Sequence, residues 1–327
     1  MEQERIDDEL RKWLRDRASA NVIFGPIDNY NRFAAKFLCA LGPYPAEAPK
    51  GHAPPSLPFA MRDVTLDDGL TLRLWGFNTV LVSDASDSAG KMLIDPAAAQ
   101  IEARDDMVHL VMCHHPFGWL KNGRAFEDRV NAVAKIHLFG HEHTRRLDEN
   151  KRYLRIRAGA VQPSRDDREW KPGYNWIEMS AKRDAGKRRL FVRVWVRLHE
   201  VAQFIAMPDP DGNETWDNNF ELPDWRGPDD KAGVTRENEN VLGQPVEATM
   251  TQGPASANVR SVTIKFFKLK EHEQRRLISG MKLDRAGDRD LKDYELVINA
   301  IRRSVEERRL EELDARIDEM LAEAGRT

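Results

Sequence analysis

The sequence predicts an α/β fold of layered sheets flanked by helices, followed by a small all-α bundle. Two short apolar runs, at 108–113 and 136–139, read as buried strands, because a near-continuous apolar stretch between turn residues suits a sheet covered on both faces. A helical pattern at 125–135 lies between them and supplies the crossover that parallel strands need. From residue 266 onward the apolar residues recur at helical spacing and do not form continuous runs, which predicts the all-α bundle.

The elements before the first buried strand include two helices and a hairpin. Apolar residues recur at helical spacing over 6–14 and again over 30–41. The stretch 41–58 is rich in Pro, Ala and Gly and is expected to be a loop. An Asp-Asp-Gly turn then divides 59–83 into two strand-like halves, which predicts a β-hairpin. A further short helix is predicted at 97–103.

Strands continue after the second buried run. They are predicted at 153–160, 175–180 and 190–198, the last two joined by a charged hairpin turn. From 207 to 258 the composition changes, since Pro, Gly, Asp and Asn become frequent and no periodicity persists. This segment is therefore expected to be an irregular wrap followed by a linker.

Each strand of the buried pair ends in a histidine cluster, Cys-His-His-Pro at 113–116 and Gly-His-Glu-His at 140–143. Because the carboxyl ends of parallel strands share one edge of a sheet, where α/β folds bind ligands, these imidazoles are expected to converge on metal. Cys113 is either a soft ligand or, as its apolar strand favours, a small buried filler. The histidines inside the strands, His109 and His137, are expected to bond to backbone instead.

These motifs resemble those of a known enzyme family. The run V-M-C-H-H-P, followed after a helix by L-F-G-H-E-H-T, is similar to the last two metal motifs of the calcineurin-like metallophosphoesterases. Gly159-Ala160 with Y-N-W-I-E at 174–178 resembles the strand pair that closes that fold, and 72–83 resembles the strand that enters its second half. The similarity covers about 29–204 and implies a partial calcineurin-like phosphoesterase sandwich.

The resemblance also implies a ligand set. It implies that His114 and His141 bind one divalent ion and that His143 binds the other. Of the adjacent histidines at 114 and 115, His115 is the less suitable ligand. Mn, Fe or Zn would suit such a two-metal site. The cations directly after the second cluster are candidates for binding phosphate: Arg145 and Arg146.

Three upstream motifs of that family are absent from this sequence: Asp-x-His, Gly-Asp-x-x-Asp and Gly-Asn-His. They supply the remaining ligands, the bridging Asp and the His at the leaving group, so the chain resembles the second half of such a domain. A two-metal hydrolase needs ions ~3.5–4 Å apart bridged by a carboxylate. Three explanations stay open: a coding start placed too late, a split gene whose other chain completes the site, or a degenerate relative kept for binding. Two intact histidine clusters argue against the third.

The end of the chain predicts a small helical module with three or more amphipathic helices, enough to bury a minimal core. The order of its features, F-x-L-x-x-x-E at 267–273 and then Met281 to Leu283, resembles the death-domain-like effector-associated modules of bacterial conflict systems. That resemblance implies a protein partner with a like domain; a generic helical cap or a dimerising tail is the alternative. The predicted domains are a partial metallophosphoesterase domain at 1–205, a wrap and linker at 206–258, and the helical module at 259–327.

Composition narrows the classes of protein. The chain has 327 residues and a net charge of −3, without the basic surplus of a nucleic-acid-binding surface. No apolar stretch approaches the ~20 residues that span a bilayer, and the acidic, helical N-terminus does not resemble a secretory signal. Two isolated cysteines suit a reducing compartment. We therefore expect a cytoplasmic protein without a membrane partner.

Two hypotheses about function follow. In the first, the chain is a metallophosphoesterase that hydrolyses a phosphomonoester or phosphodiester with metal-activated water. In the second, it is an inert adaptor that acts through the helices of 259–327. The sequence assigns no catalytic residue beyond the metal ligands.

Overall fold

The structure, a computed structural model, describes residues 2–37, 39–43, 56–57, 59–66, 69–141, 146–158, 172–200, 203–224 and 258–325. The chain forms two compact units. The first, here called the sheet unit, comprises Met1–Leu10 and Met61–Glu239. The second, the helical unit, comprises Arg11–Ala60 and Asn240–Thr327.

The helices are α1 (Glu2–Arg15), α2 (Arg17–Phe24), α3 (Asp28–Ala34), α4 (Arg124–Val133), α5 (Val259–Phe266), α6 (Glu271–Gly280), α7 (Asp293–Glu306) and α8 (Leu310–Glu323). The strands are β1 (Gly42–Pro43), β2 (Ser56–Leu57), β3 (Phe59–Thr65), β4 (Thr71–Phe77), β5 (Met107–Cys113), β6 (Ala134–Phe139), β7 (Arg146–Glu149), β8 (Leu154–Arg157), β9 (Gly173–Asp184), β10 (Lys187–Glu200), β11 (Gln203–Ala206) and β12 (Trp216–Glu221). Within the described residues, no helix has both the length and the apolar character needed to cross a bilayer.

The sheet unit contains a mixed sheet of six strands in the order β3-β4-β5-β6-β8-β7. The pairs β4–β5, β5–β6 and β6–β8 are parallel, and β7 runs antiparallel to β8. The helix α4 joins β5 to β6, as the parallel pairing of these strands requires. The predicted α/β class is therefore confirmed in general. The helix predicted at 97–103 is instead one 3₁₀ turn, Pro96–Ala99, whose first free amide is capped by Asp95.

A second, antiparallel sheet is built around β10, which pairs with β9 and also with β11 and β12. Between β9 and β10 the chain turns at Ala185 and Gly186, which both have positive φ, as a tight hairpin requires. The strand β12 lies inside the segment expected to be irregular. The two sheets share one core, to which each contributes alternate side chains: Leu110, Ile136 and Ile156 from the first, and Leu190, Val192, Val194 and Phe220 from the second.

The helical unit has a separate core. Helices α5 to α8 follow the predicted apolar pattern and enclose it, with Val262, Phe266, Leu277, Val297 and Ile317 among its buried members. Ion pairs attach the N-terminal helices of this unit to α7. The Arg17 guanidinium donates to both carboxylate oxygens of Glu295, at 2.8 and 3.1 Å, and Lys292 contacts Asp28 at 2.6 Å.

Candidate metal centre

Three neighbouring parallel strands end side by side and position the histidines. Register pairs Phe77 with Cys113 and Cys113 with Phe139, the last residues of β4, β5 and β6. The residues that follow these strands therefore leave the sheet together. As expected from the sequence, this brings His114, His115 and His141 to one place, where one ligand atom from each lies within 4.8 Å of the others.

The spacing of the ring nitrogens suits a shared ion. His141 Nδ1 and His114 Nε2 share a hydrogen bond at 3.1 Å, and an ion bound by both nitrogens would replace its proton. Ligand atoms on one tetrahedral zinc lie about 3.3 Å apart, which follows from Zn–N bonds of about 2.0–2.1 Å. The three ligand atoms all lie within 4.8 Å of one another, so a shared ion requires them to approach by at most roughly 1.5 Å.

His115 is the most firmly held member of the cluster. Its side chain is fully buried, its ring Nδ1 donates to the Thr79 carbonyl oxygen at 2.8 Å, and its backbone amide donates to the Thr79 hydroxyl at 3.0 Å. A carbonyl can only accept, so Nδ1 carries a proton, and in the neutral ring Nε2 then presents a lone pair. Among the described residues this buried Nε2 has no hydrogen-bond partner. An unpaired buried acceptor of this kind is what a metal ligand looks like before the ion is bound.

The turn after β6 brings the second strand end close to the first. A Cβ on Gly140 would lie 3.3 Å from the His114 ring Nδ1, so only glycine allows this approach without a shift. His141 follows with φ 65°, in the left-handed region that costs an L-residue about 1–2 kcal/mol. Such strain is concentrated at functional sites, and here it directs the ring toward His114.

The surroundings lower the pKa of one imidazole of the cluster, that of His114. Burial, followed by the neighbouring rings of His115 and His141, lowers the pKa of His114. Trp119 forms a wall of the cluster, stacked on His115 at 5.6 Å between ring centroids and edge-on to His141 at 4.0 Å. A neutral imidazole is the form that binds metal, so the lowered pKa of His114 favours ligation by that ring at neutral pH.

One acidic residue near the cluster was missed by sequence reasoning. Asp87 lies in the loop after β4, and its Oδ2 is 3.6 Å from His115 Nε2. A hydrogen bond from the Ser83 hydroxyl is the main reason that the pKa of Asp87 is lowered, so the carboxylate is ionised. The loop has no periodicity and no motif, so nothing in the sequence indicated its proximity.

The other predicted site residues are not placed in this cluster. His143 and Arg145 lie outside the described residues, and Arg146 begins β7 with its side chain outside them. Cys113 is buried, and burial raises the pKa of its thiol, so it is the small apolar filler of the two alternatives.

The strand histidines behave as expected. His109 accepts from the Trp75 indole at 3.0 Å and donates to the Glu102 carbonyl oxygen at 2.9 Å. His137 contacts the Ala134 carbonyl oxygen at 3.2 Å through Nε2. Both rings are buried within the sheet unit and bonded to backbone, and neither belongs to the cluster.

No protein-family model matches the chain, and neither does any curated protein.

Proposed function

We propose that the chain is a metal-dependent phosphoesterase of the calcineurin-like kind, which hydrolyses a phosphomonoester or phosphodiester. The observation that carries this proposal is the convergence of His114, His115 and His141 at the carboxyl edge of three parallel strands. Two sheets packed over one core support the layered fold of that family. A divalent ion bound there, such as Mn, Fe or Zn, supplies Lewis-acid polarisation of phosphate and lowers the pKa of water.

The residues of the chain prepare the site. Thr79 fixes the tautomer of His115, and the close approach at Gly140 brings the second strand end to the first. Trp119 shields the rings from water on one side, which strengthens electrostatic interactions within the site. The family resemblance adds further roles to the proposal: His143 as ligand of a second ion, and Arg145 and Arg146 as phosphate contacts.

The test is turnover of two chromogenic substrates, p-nitrophenyl phosphate and bis(p-nitrophenyl) phosphate, by the full chain. We expect slow hydrolysis that a chelator removes and added Mn²⁺ or Zn²⁺ restores. His141→Ala should lower the metal-dependent rate roughly tenfold or more, since it removes a ligand. His199→Ala, on β10, is the matched control and should leave the rate unchanged. A rate that is independent of metal, or equal in His141→Ala, would contradict the proposal.

A second candidate function, an adaptor without catalysis, is favoured by one observation. The helical unit has its own core and still exposes large apolar side chains, including Trp13 at 55% and Phe33 at 61%. Exposed aromatic residues are frequent at protein interfaces. Under this proposal a protein partner contacts the helices, as the resemblance of 259–327 to effector-associated modules implies. If this proposal is right, the chain hydrolyses neither ester with any metal. The wild type and the His141→Ala variant then bind the partner with equal affinity.

A further inference from the structure

We infer that the described residues hold one transition-metal ion by themselves, through the three imidazoles of the cluster and the Asp87 carboxylate. This inference rests on the metal centre of the proposed function and makes it more specific. It differs from the ligand set that the family resemblance implies in two respects. His115 becomes a ligand, and the loop after β4 supplies the negative charge.

When the His115 ring is neutral, two acceptor atoms face each other in the cluster. His115 Nε2 presents a lone pair, because Nδ1 carries the proton that Thr79 accepts. Asp87 Oδ2 lies 3.6 Å from that nitrogen and is itself an acceptor. Two acceptors at this distance in a half-buried place repel each other unless a cation lies between them. The separation is too long for a direct hydrogen bond and close to the spacing of two ligands on one ion.

The Asp87 carboxylate is held in place by hydrogen bonds from its own loop. The Ser83 hydroxyl donates to its Oδ2, and the Asp84 amide donates to its Oδ1 at 2.7 Å. The loop is attached to the segment that follows His115 by three backbone hydrogen bonds. The Gly90 amide donates to the Gly118 carbonyl, the Met92 amide donates to the Trp119 carbonyl, and the Lys121 amide donates to the Met92 carbonyl. The carboxylate and His115 are therefore fixed in one frame before any ion arrives, as metal sites require.

The four proposed ligand atoms favour a transition-metal ion. Three imidazole nitrogens and one carboxylate oxygen suit Zn²⁺, Fe²⁺ or Ni²⁺, whereas Mg²⁺ and Ca²⁺ prefer oxygen ligands. The one negative charge of Asp87 partly neutralises a divalent ion in a half-buried place, where an unbalanced charge is costly. The atoms His114 Nε2 and His141 Nδ1, 3.1 Å apart, supply the other two ligand atoms. Asp87 is not among the side chains whose ligand atoms all lie within 4.8 Å of one another, so its carboxylate completes the set only when the ion draws it and the imidazoles together.

The test measures metal binding without substrate, with the full chain freed of metal by a chelator. Zn²⁺ affinity is obtained by competition with a chromophoric chelator, and the number of ions per chain by elemental analysis after gel filtration. We expect one ion per chain and no binding of Mg²⁺ at the same concentration. Asp87→Asn should weaken Zn²⁺ binding roughly tenfold or more. The matched control is Asp84→Asn in the same loop. The backbone amide of residue 84 still donates to Asp87 in this variant, so its Zn²⁺ affinity should stay within about twofold of the wild-type value.

His115→Gln should weaken binding by a similar factor, and its melting temperature without metal separates a lost ligand from a lost fold. If His115→Gln does not fold, the comparison of Asp87→Asn with Asp84→Asn still tests whether the Asp87 carboxylate binds the ion. Wild-type affinity in Asp87→Asn, two ions of equal affinity, or no Zn²⁺ binding would overturn the inference. Asp87-dependent binding without ester hydrolysis would leave it standing and refute the phosphoesterase. Ester hydrolysis that depends on His141, together with wild-type Zn²⁺ affinity in Asp87→Asn, would overturn the inference and leave the phosphoesterase proposal standing.

Discussion

At the scale of single residues, the cluster depends on one close backbone approach. A methyl group at Gly140 would lie 3.3 Å from His114 Nδ1 and 3.5 Å from the His114 carbonyl oxygen, so the ring would have to move by a few tenths of an ångström. We expect Gly140→Ala to weaken Zn²⁺ binding roughly tenfold, because ligands must be held within about 0.5 Å of their productive positions.

Gly118→Ala is the matched control for this substitution. It lies in the segment after His115, and a Cβ there would meet no atom within 4 Å. Its Zn²⁺ affinity and melting temperature should equal those of the wild type. Equal affinities in the two variants would show that the approach of the strand ends does not position His114.

Two buried histidines predict how stability depends on pH. Burial lowers the pKa of His109 and of His137 to about 4, whereas an unfolded histidine titrates near 6.5. Between these values the unfolded chain binds more protons, so the free energy of unfolding decreases as the pH falls through this window. From pH 7 to pH 5 the expected loss is about 2 kcal/mol for each histidine.

The measurement is urea unfolding at both pH values, followed by tryptophan fluorescence. Trp13 is the one tryptophan of the sequence outside the sheet unit, so the signal reports mainly on that unit. His137→Phe keeps an aromatic ring over Tyr153, on which His137 stacks at 4.5 Å, and should remove about half of the pH dependence. An unchanged dependence would mean that His137 is not neutral in the folded state.

At the scale of elements, the local sequence pattern predicted the strands and helices that it specifies by itself, but not the features that depend on contacts between distant residues. The apolar runs of β5 and β6 identified these strands and their α4 crossover, and hence the edge at which His114 and His141 converge. The strand β12 was missed because its sequence, W-D-N-N-F-E, is mostly polar, and it is fixed by pairing with β10. Similarly, Asp87 approaches His115 only through loop contacts, and the role of His115 depends on Thr79, which lies 36 residues away.

A buried ion pair is expected to stabilise the helical elements. Arg303 on α7 donates to both carboxylate oxygens of Asp288, at 2.5 and 2.9 Å, and both side chains are buried. Asp288→Ala would leave a buried cation without its counter-charge and should lower the free energy of unfolding by about 3–5 kcal/mol. Urea unfolding followed by circular dichroism at 222 nm measures this loss.

Two comparisons make that measurement specific. Arg316→Ala breaks an exposed pair with Glu319 and should change stability by less than about 0.5 kcal/mol. The double variant Asp288→Leu/Arg303→Met removes both charges and should lose less than Asp288→Ala alone. If the single and double variants are equally destabilised, the loss comes from packing and not from an unpaired charge.

At the scale of the whole molecule, the histidine cluster and helices α5 to α8 belong to different units. The cluster lies in the sheet unit, which has one hydrophobic core, and α5 to α8 lie in the helical unit, which has another. Zn²⁺ at 100 times its dissociation constant adds about 2.7 kcal/mol to the stability of the fold that binds it. For a unit of this size that is a rise in melting temperature of roughly 5–10 °C.

We therefore expect Zn²⁺ to raise the melting temperature detected by tryptophan fluorescence, which reports on the sheet unit, more than that detected at 222 nm, which reports mainly on the helices. His141→Ala should abolish the rise in fluorescence-detected melting, because a ligand bound only to the folded state stabilises by its affinity alone. Equal rises by both probes would mean that the units unfold as one cooperative body. A rise retained in His141→Ala would mean that Zn²⁺ stabilises the chain somewhere other than at the three histidines.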